Sequence, residues 1–248
     1  MTVTPKFEKI KADDYKTLAP RQTAVECVLK AEQDSVIKEV LSISCDVSLL
    51  AIEGVAGEAR YSGRVDFKAL YLNAQGRTDT VAYYADFNDK IEDAAVLPVS
   101  RLQCMLSVAD SEIVSFNKEE IKLLCVIEAS VKVGNVREIT AVSDGEGFLC
   151  NHSSANISNF SGGGKDICET GEEFEEKLLI SKILLSDACV IISSVTAGVD
   201  CIIAEGEAAV NLTYLCGDDD EEIGCVTKIL PFRQEIDAKD VLPADKAF

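Results

Sequence analysis

Gly63-Arg64-Val65-Asp66-Phe67-Lys68-Ala69-Leu70-Tyr71-Leu72 decides the reading of this chain, because Gly206-Glu207-Ala208-Ala209-Val210-Asn211-Leu212-Thr213-Tyr214-Leu215 repeats its pattern. In the first stretch Val65, Phe67, Ala69 and Tyr71 share one face, while Arg64, Asp66 and Lys68 point the other way. Side chains in a β-strand alternate between faces, so this period of two predicts a half-buried strand. Asn73-Ala74-Gln75-Gly76 supplies turn chemistry, and Val81, Tyr83, Ala85 and Phe87 alternate again, which predicts a β-hairpin. The second copy follows the same plan through Ala208, Val210, Leu212 and Tyr214, an acidic turn at 217–222, and a return strand ending near Phe232.

Working outward, Ile37 to Leu72 aligns without a gap on Ile180 to Leu215, a displacement of 143 as from Tyr71 to Tyr214. Val40, Leu41 and Val47 fall on Ile183, Leu184 and Val190. Past the tyrosines the displacement is 145, from Phe87 to Phe232 and from Ile91 to Ile236, so two residues were added between Gly217 and Gly224. Turns accept such insertions at small free-energy cost. Duplication of a whole β-module favours a scaffold over a single active site.

A long strand is also expected at Ile121, Leu123, Cys125, Ile127, Ala129, Val131 and Val133, whose alternate neighbours include Lys122, Glu128 and Lys132. Nothing after the second hairpin matches it, so the second copy reads as incomplete, its sheet lacking a strand that the first possesses. The segments near Ile37 to Leu41 and Ile180 to Leu184 suit either a strand or a helical turn. Residues 143–171 are rich in Ser, Asn and Gly, with Ser161-Gly162-Gly163-Gly164-Lys165 at the centre, and read as a long loop or linker. The expected organisation is all-β: antiparallel sandwich-like modules in tandem, the first over 1–142 and a second, partial one over 172–248.

Composition narrows the function classes. Forty-three acidic residues against 24 basic ones give a net charge of −19, which repels nucleic-acid phosphates and anionic lipid. No stretch approaches the roughly 18 apolar residues of a spanning helix, so neither nucleic-acid binding nor membrane insertion is expected. Ten cysteines occur without any C-x-x-C pair, the closest two being Cys216 and Cys225, and no zinc site is expected. Cys125 and Cys201 fit apolar strand patterns as small core residues. Cys150 and Cys168 lie in the polar linker and are the candidates for late cross-linking.

No catalytic constellation emerges. The sole histidine, His152, sits between Asn151 and Ser153 in the linker, with no acid, base or nucleophile to serve. The glycine run at 161–166 fails as a phosphate loop, because Asp166 follows Lys165 where a hydroxyl should hold magnesium. Asp218-Asp219-Asp220-Glu221-Glu222 lacks the spacing of a calcium loop and reads as a charged hairpin tip that blocks edge pairing. The sequons at Asn151, Asn156 and Asn211 read as chance matches. No enzyme activity, metal or cofactor is expected.

The run Glu205-Gly206-Glu207-Ala208-Ala209-Val210-Asn211-Leu212-Thr213-Tyr214-Leu215, followed by Pro231-Phe232-Arg233-Gln234-Glu235-Ile236, resembles the SPOCS domain family of spore-coat morphogenetic proteins. The first copy resembles it through Tyr61 to Leu72 and Asp86-Phe87-Asn88-Asp89-Lys90-Ile91, with Asp86 in place of the proline. The shared pattern is a Glu-Gly opening, an alternating strand closing on aliphatic-Tyr-aliphatic, a polar turn, and Pro-Phe. The resemblance implies a non-enzymatic assembly module of the bacterial endospore coat. It would bind a coat-basement ATPase or other coat proteins, from the mother-cell cytoplasm or at the spore coat surface. The LysM module that accompanies such domains has no counterpart here, so cortex attachment is not carried over. Unpaired sheet edges would serve as the binding surface, and a homo-oligomer or filament is expected. The alternative reading is a self-assembling subunit of an extracellular or spore-surface fibre, linked through Cys150, Cys168 or other cysteines.

Overall fold

A computed structural model describes residues 4–31, 35–146, 168–173, 180–217 and 222–247. These contain ten antiparallel strands in three sheets, and no helix. The strands are β1 (Thr4–Thr17), β2 (Arg21–Lys30), β3 (Ile37–Val55), β4 (Glu58–Asn73), β5 (Thr78–Glu92), β6 (Arg101–Phe116), β7 (Glu120–Glu146), β8 (Ile180–Ala197), β9 (Cys201–Cys216) and β10 (Glu222–Asp237). The ambiguous segments at Ile37 and Ile180 are both strand.

The expected periodicity organises the first module. Val65, Phe67, Ala69 and Tyr71 of β4 are fully buried, as are Ile121, Leu123, Cys125, Val131 and Val133 of β7. Yet β4 and β7 lie in different sheets. β3, β4 and β5 form one, while β7 pairs with β1 and β2 along one edge and β6 along the other. The two sheets share a single apolar core, with β6 lying against β3 and β2 against β5. This is a β-sandwich, in which two amphipathic sheets remove each other's apolar faces from water. Its β4–β5 hairpin closes with Gly76 at φ 80°, where the Asn73 side-chain oxygen accepts from the Gln75 and Arg77 amides.

β8, β9 and β10 form the third sheet, which reproduces β3–β4–β5 down to its irregularities. Pairing of β3 with β4 slips at Ile37/Glu39, Val40/Ser42 and Leu49/Ala51. Pairing of β8 with β9 slips at Ile180/Lys182, Ile183/Leu185 and Ile192/Ser194, each 143 positions on. A bulge places two residues opposite one and increases the local twist, so matching bulges give the two sheets the same curvature.

The repeat also extends beyond the hairpins. Gly57 (φ 83°) donates its amide to Val96 and accepts from Asp93; Asp200 (φ 56°) donates to Val241 and accepts from Ala238. Val96-Leu97-Pro98 and Val241-Leu242-Pro243 then make the same turn, closed by Ser100 and Asp245 respectively.

The expectation that Ile121–Val133 would extend the hairpin's own sheet is therefore corrected. Both three-stranded sheets are equivalent strand for strand. What the second copy lacks, among the described residues, is the opposing sheet, because β7 belongs to the cover and not to the sheet that is duplicated.

Candidate functional site

The recurrent Gly…Phe pair of the two copies has a physical role. Gly63 lies directly across from Phe87, and Gly206 across from Phe232. A Cβ added at Gly63 would fall 2.6 Å from the Phe87 ring and 2.9 Å from the Ser48 carbonyl. One at Gly206 would fall 2.2 Å from the Ile191 carbonyl and 2.9 Å from the Phe232 ring. The ring therefore lies over the bare backbone of the glycine and covers a strand position with no side chain of its own. Tyr15 over Gly134 and Tyr214 over Gly224 repeat the arrangement. These motif residues shape the strand backbone.

Asp86, which stands where the motif has proline, finds a use. Its carboxylate accepts from Arg64 Nε at 2.7 Å and Nη2 at 3.2 Å, and the guanidinium lies 3.9 Å above the Tyr84 ring. In β10 the equivalent position is Pro231, which offers no amide to a neighbouring strand.

Titratable groups are concentrated where β2 meets β5. Burial pushes the Asp89 carboxyl up, but hydrogen bonds from Thr23 and Arg21 outweigh this and hold it below the usual carboxylate range. Asp79 is likewise pushed up by burial and brought below its ordinary value by Lys182, the Thr80 amide and the Tyr71 hydroxyl. The Asp79–Lys182 pair joins β5 to β8, and Lys68 reaches the Ser186 carbonyl at 3.1 Å; together they tie the third sheet to the sandwich. Each carboxylate is held by its fixed donors.

Cysteines differ in burial, and in the second copy Cys216 is buried and Cys201 half-buried. Cys27 and Cys125 are buried and Cys45 and Cys104 half-buried, and desolvation raises the thiol pKa of all four, that of Cys45 to about 12 with Cys125 adding to it. Such thiols are small core residues, as the apolar pattern around Cys125 predicts. Cys168, the cross-link candidate, is exposed and unpaired with another cysteine, as are Cys189 and Cys225. Cys150, His152 and the glycine run at 161–166 lie outside the described residues, as does the acidic tip at 218–221.

Two kinds of surface remain available for contacts. The first is edge backbone. Among the described residues β3, β5, β8 and β10 each lack a neighbour on one side, and β7 has no partner opposite β1 beyond Gly134, where β6 ends. The second is a face. On the third sheet Ile183, Val190 and Ile192 are 55%, 60% and 58% exposed, although their counterparts Val40, Val47 and Leu49 pack against the sandwich core. Sequence reading pointed to edges and missed the face, although the recurrence of Val96-Leu97-Pro98 as Val241-Leu242-Pro243 marks where the duplicated sheet ends.

Residues 179–248 match the family model described as SipL, SPOCS domain. No curated protein and no solved structure matches the chain.

Proposed function

We propose that this chain, which carries a SPOCS domain at residues 179–248, is a non-enzymatic assembly protein of the bacterial endospore coat. The observation that carries this reading is the family match over the β8–β10 sheet, together with the near-identical β3–β5 sheet inside the first module. Among the described residues every perturbed carboxylate is engaged by a donor, which supports a binding role for the duplicated sheet. Binding then follows from long strands with free backbone, to which a coat component adds a strand. β10 is the straighter edge, since its pairing with β9 runs from Glu222 to Asp237 without a slip, whereas β8 is bulged three times.

The test is a fluorescent fusion of the full chain produced in a sporulating endospore-former. The expected result is label recruited to the forespore surface and lost when the coat-basement ATPase is removed. Label that stays uniform in the mother cell throughout coat formation would sink the proposal. Label on extracellular fibres would transfer the protein to the fibre reading.

A further inference from the structure

We infer that the apolar face of the β8–β10 sheet is a self-association surface, on which a second copy of this chain supplies the opposing sheet. This stands on the sheet geometry alone and holds whether or not the coat reading does.

Register defines the face. Val190, Ala208 and Leu230 lie side by side across the three strands, and Ile192, Gly206 and Phe232 form the next row. The rows to either side carry Ala188 with Val210, and Val195 with Ala204. The only charge among these rows is Lys228, whose ammonium is 3.7 Å from the Glu172 carboxylate. The other side of the sheet is mixed: Ile191 and Ile229 are exposed there, beside Arg233 paired to Glu205 and Thr227 bonded to Asn211. The face with Val190, Ile192, Leu230 and Phe232 is the less charged of the two, as on a sheet with one side covered.

The molecule itself indicates what kind of surface covers it. The β3–β5 sheet has the same strands, bulges and glycine-backed phenylalanine, and its face is buried beneath another β-sheet. A surface of this curvature is therefore complementary to a twisted apolar sheet. The sandwich's own covering sheet is already engaged with β3–β5, which leaves the β8–β10 face of another copy as the matching surface among the described residues.

Charge favours that partner. Two chains of net charge −19 repel each other over most of their surfaces, and this face lets them approach with almost no like charges opposed. Area is sufficient as well. At one end Lys68 touches Ser186 and Tyr214 is buried, so the open part runs from Ala188 to Ala197 and its neighbours. Ten residues across three strands give a flat footprint of about 500 Å² per copy, hence about 1,000 Å² in all, the threshold for a specific if weak interface. A two-fold pairing would rebuild a sandwich, with Ile192 and Phe232 at its centre.

Sedimentation velocity of the full chain in reductant, from about 1 to 200 µM, tests this over the range expected of such an interface. The expected result is a reversible monomer–dimer equilibrium that Val190→Asp with Ile192→Asp abolishes. Ile191→Asp, on the opposite side of the same strand and 61% exposed, should dimerise like the parent. Should the double variant fail to fold, Val190→Thr keeps the shape and is expected to weaken the dimer about tenfold, since each dimer loses two apolar contacts. A parent chain that stays monomeric at the highest concentration overturns the inference and gives the face to another occupant. So does a dimer that Val190→Asp with Ile192→Asp leaves intact.

Discussion

The β3–β5 and β8–β10 sheets have the same backbone and opposite environments. Strand lengths agree to within one residue, and the positions of all three bulges, the positive-φ turn at Gly57 or Asp200 and the final Val-Leu-Pro turn coincide. Yet Phe67 is fully buried, while its counterpart Val210 is only half-buried. The side chains have followed: Tyr61, Val65 and Phe67 become Ala204, Ala208 and Val210 in the sheet that has no opposing sheet among the described residues. The pair teaches that local sequence suffices to shape a bulged, twisted sheet, whereas burial is conferred by whatever is laid on it.

The largest separation between the two should appear at that aligned pair. Phe67→Ala opens a cavity in a closed core and is expected to cost about 3–5 kcal/mol. Val210→Ala, on a half-covered surface, should cost under about 1 kcal/mol in dilute solution. Urea unfolding of each variant measures both, and equal losses would break the contrast between a covered and an uncovered sheet.

Next come the glycines. Gly63→Ala and Gly206→Ala should each destabilise by about 1–3 kcal/mol through overpacking, read from the shift in thermal midpoint. Gly206 should be the worse of the two, because its added Cβ meets the backbone oxygen of Ile191 first, whereas at Gly63 the first contact is a ring. A larger loss at Gly63 would mean that the core above it, and not the strand beneath, limits the space.

A smaller difference concerns acid. Asp89 and Asp79 have folded pKa values below the ordinary one, so their contribution is complete above the unfolded value near 4 and is lost as pH falls through the folded value. Their counterparts in the second copy are Gln234 and Gly224, which do not titrate. Acid should therefore loosen the first module ahead of the β8–β10 sheet, and Asp89→Asn should reduce that sensitivity at a cost of about 1 kcal/mol at neutral pH. Hydrogen exchange at pH 3 and pH 7 locates the loss.

The least perturbing comparison is chemical. Cys168, Cys189 and Cys225 should alkylate in the native state, while Cys27, Cys45, Cys104 and Cys125 should wait for unfolding. Mass spectrometry of the labelled peptides reads the order directly, and early labelling at Cys125 would contradict a closed sandwich.

Much of this was legible before any coordinates. The alternation over Arg64–Leu72 and over Ile121–Val133 marked core faces that the structure buries, and the constant displacement marked the duplicated strands. β2 and β6 carried a similar signal in Val25, Cys27 and Leu29 and in Leu102, Cys104, Leu106 and Val108, but bulges at Asp110 and Ser115 blur the second. β1 had almost none. Thr4–Thr17 is mostly exposed and strongly charged, and it is a strand because β7 offers an edge for its backbone to pair with. Tyr83 shows the converse: the alternation assigns it to the inner face, but it sits on edge strand β5 and is 62% exposed.

By itself, the sequence determined the all-β class, the repeat and the alternating faces, because each depends on side chains a few residues apart. Only the tertiary structure decided that β7 covers the duplicated sheet instead of extending it, and so that the second copy presents a face and not merely an edge. The reason is physical: alternation tells which side of a strand is apolar, but pairing partners lie far along the chain, and the energy that selects them belongs to the assembled sheets.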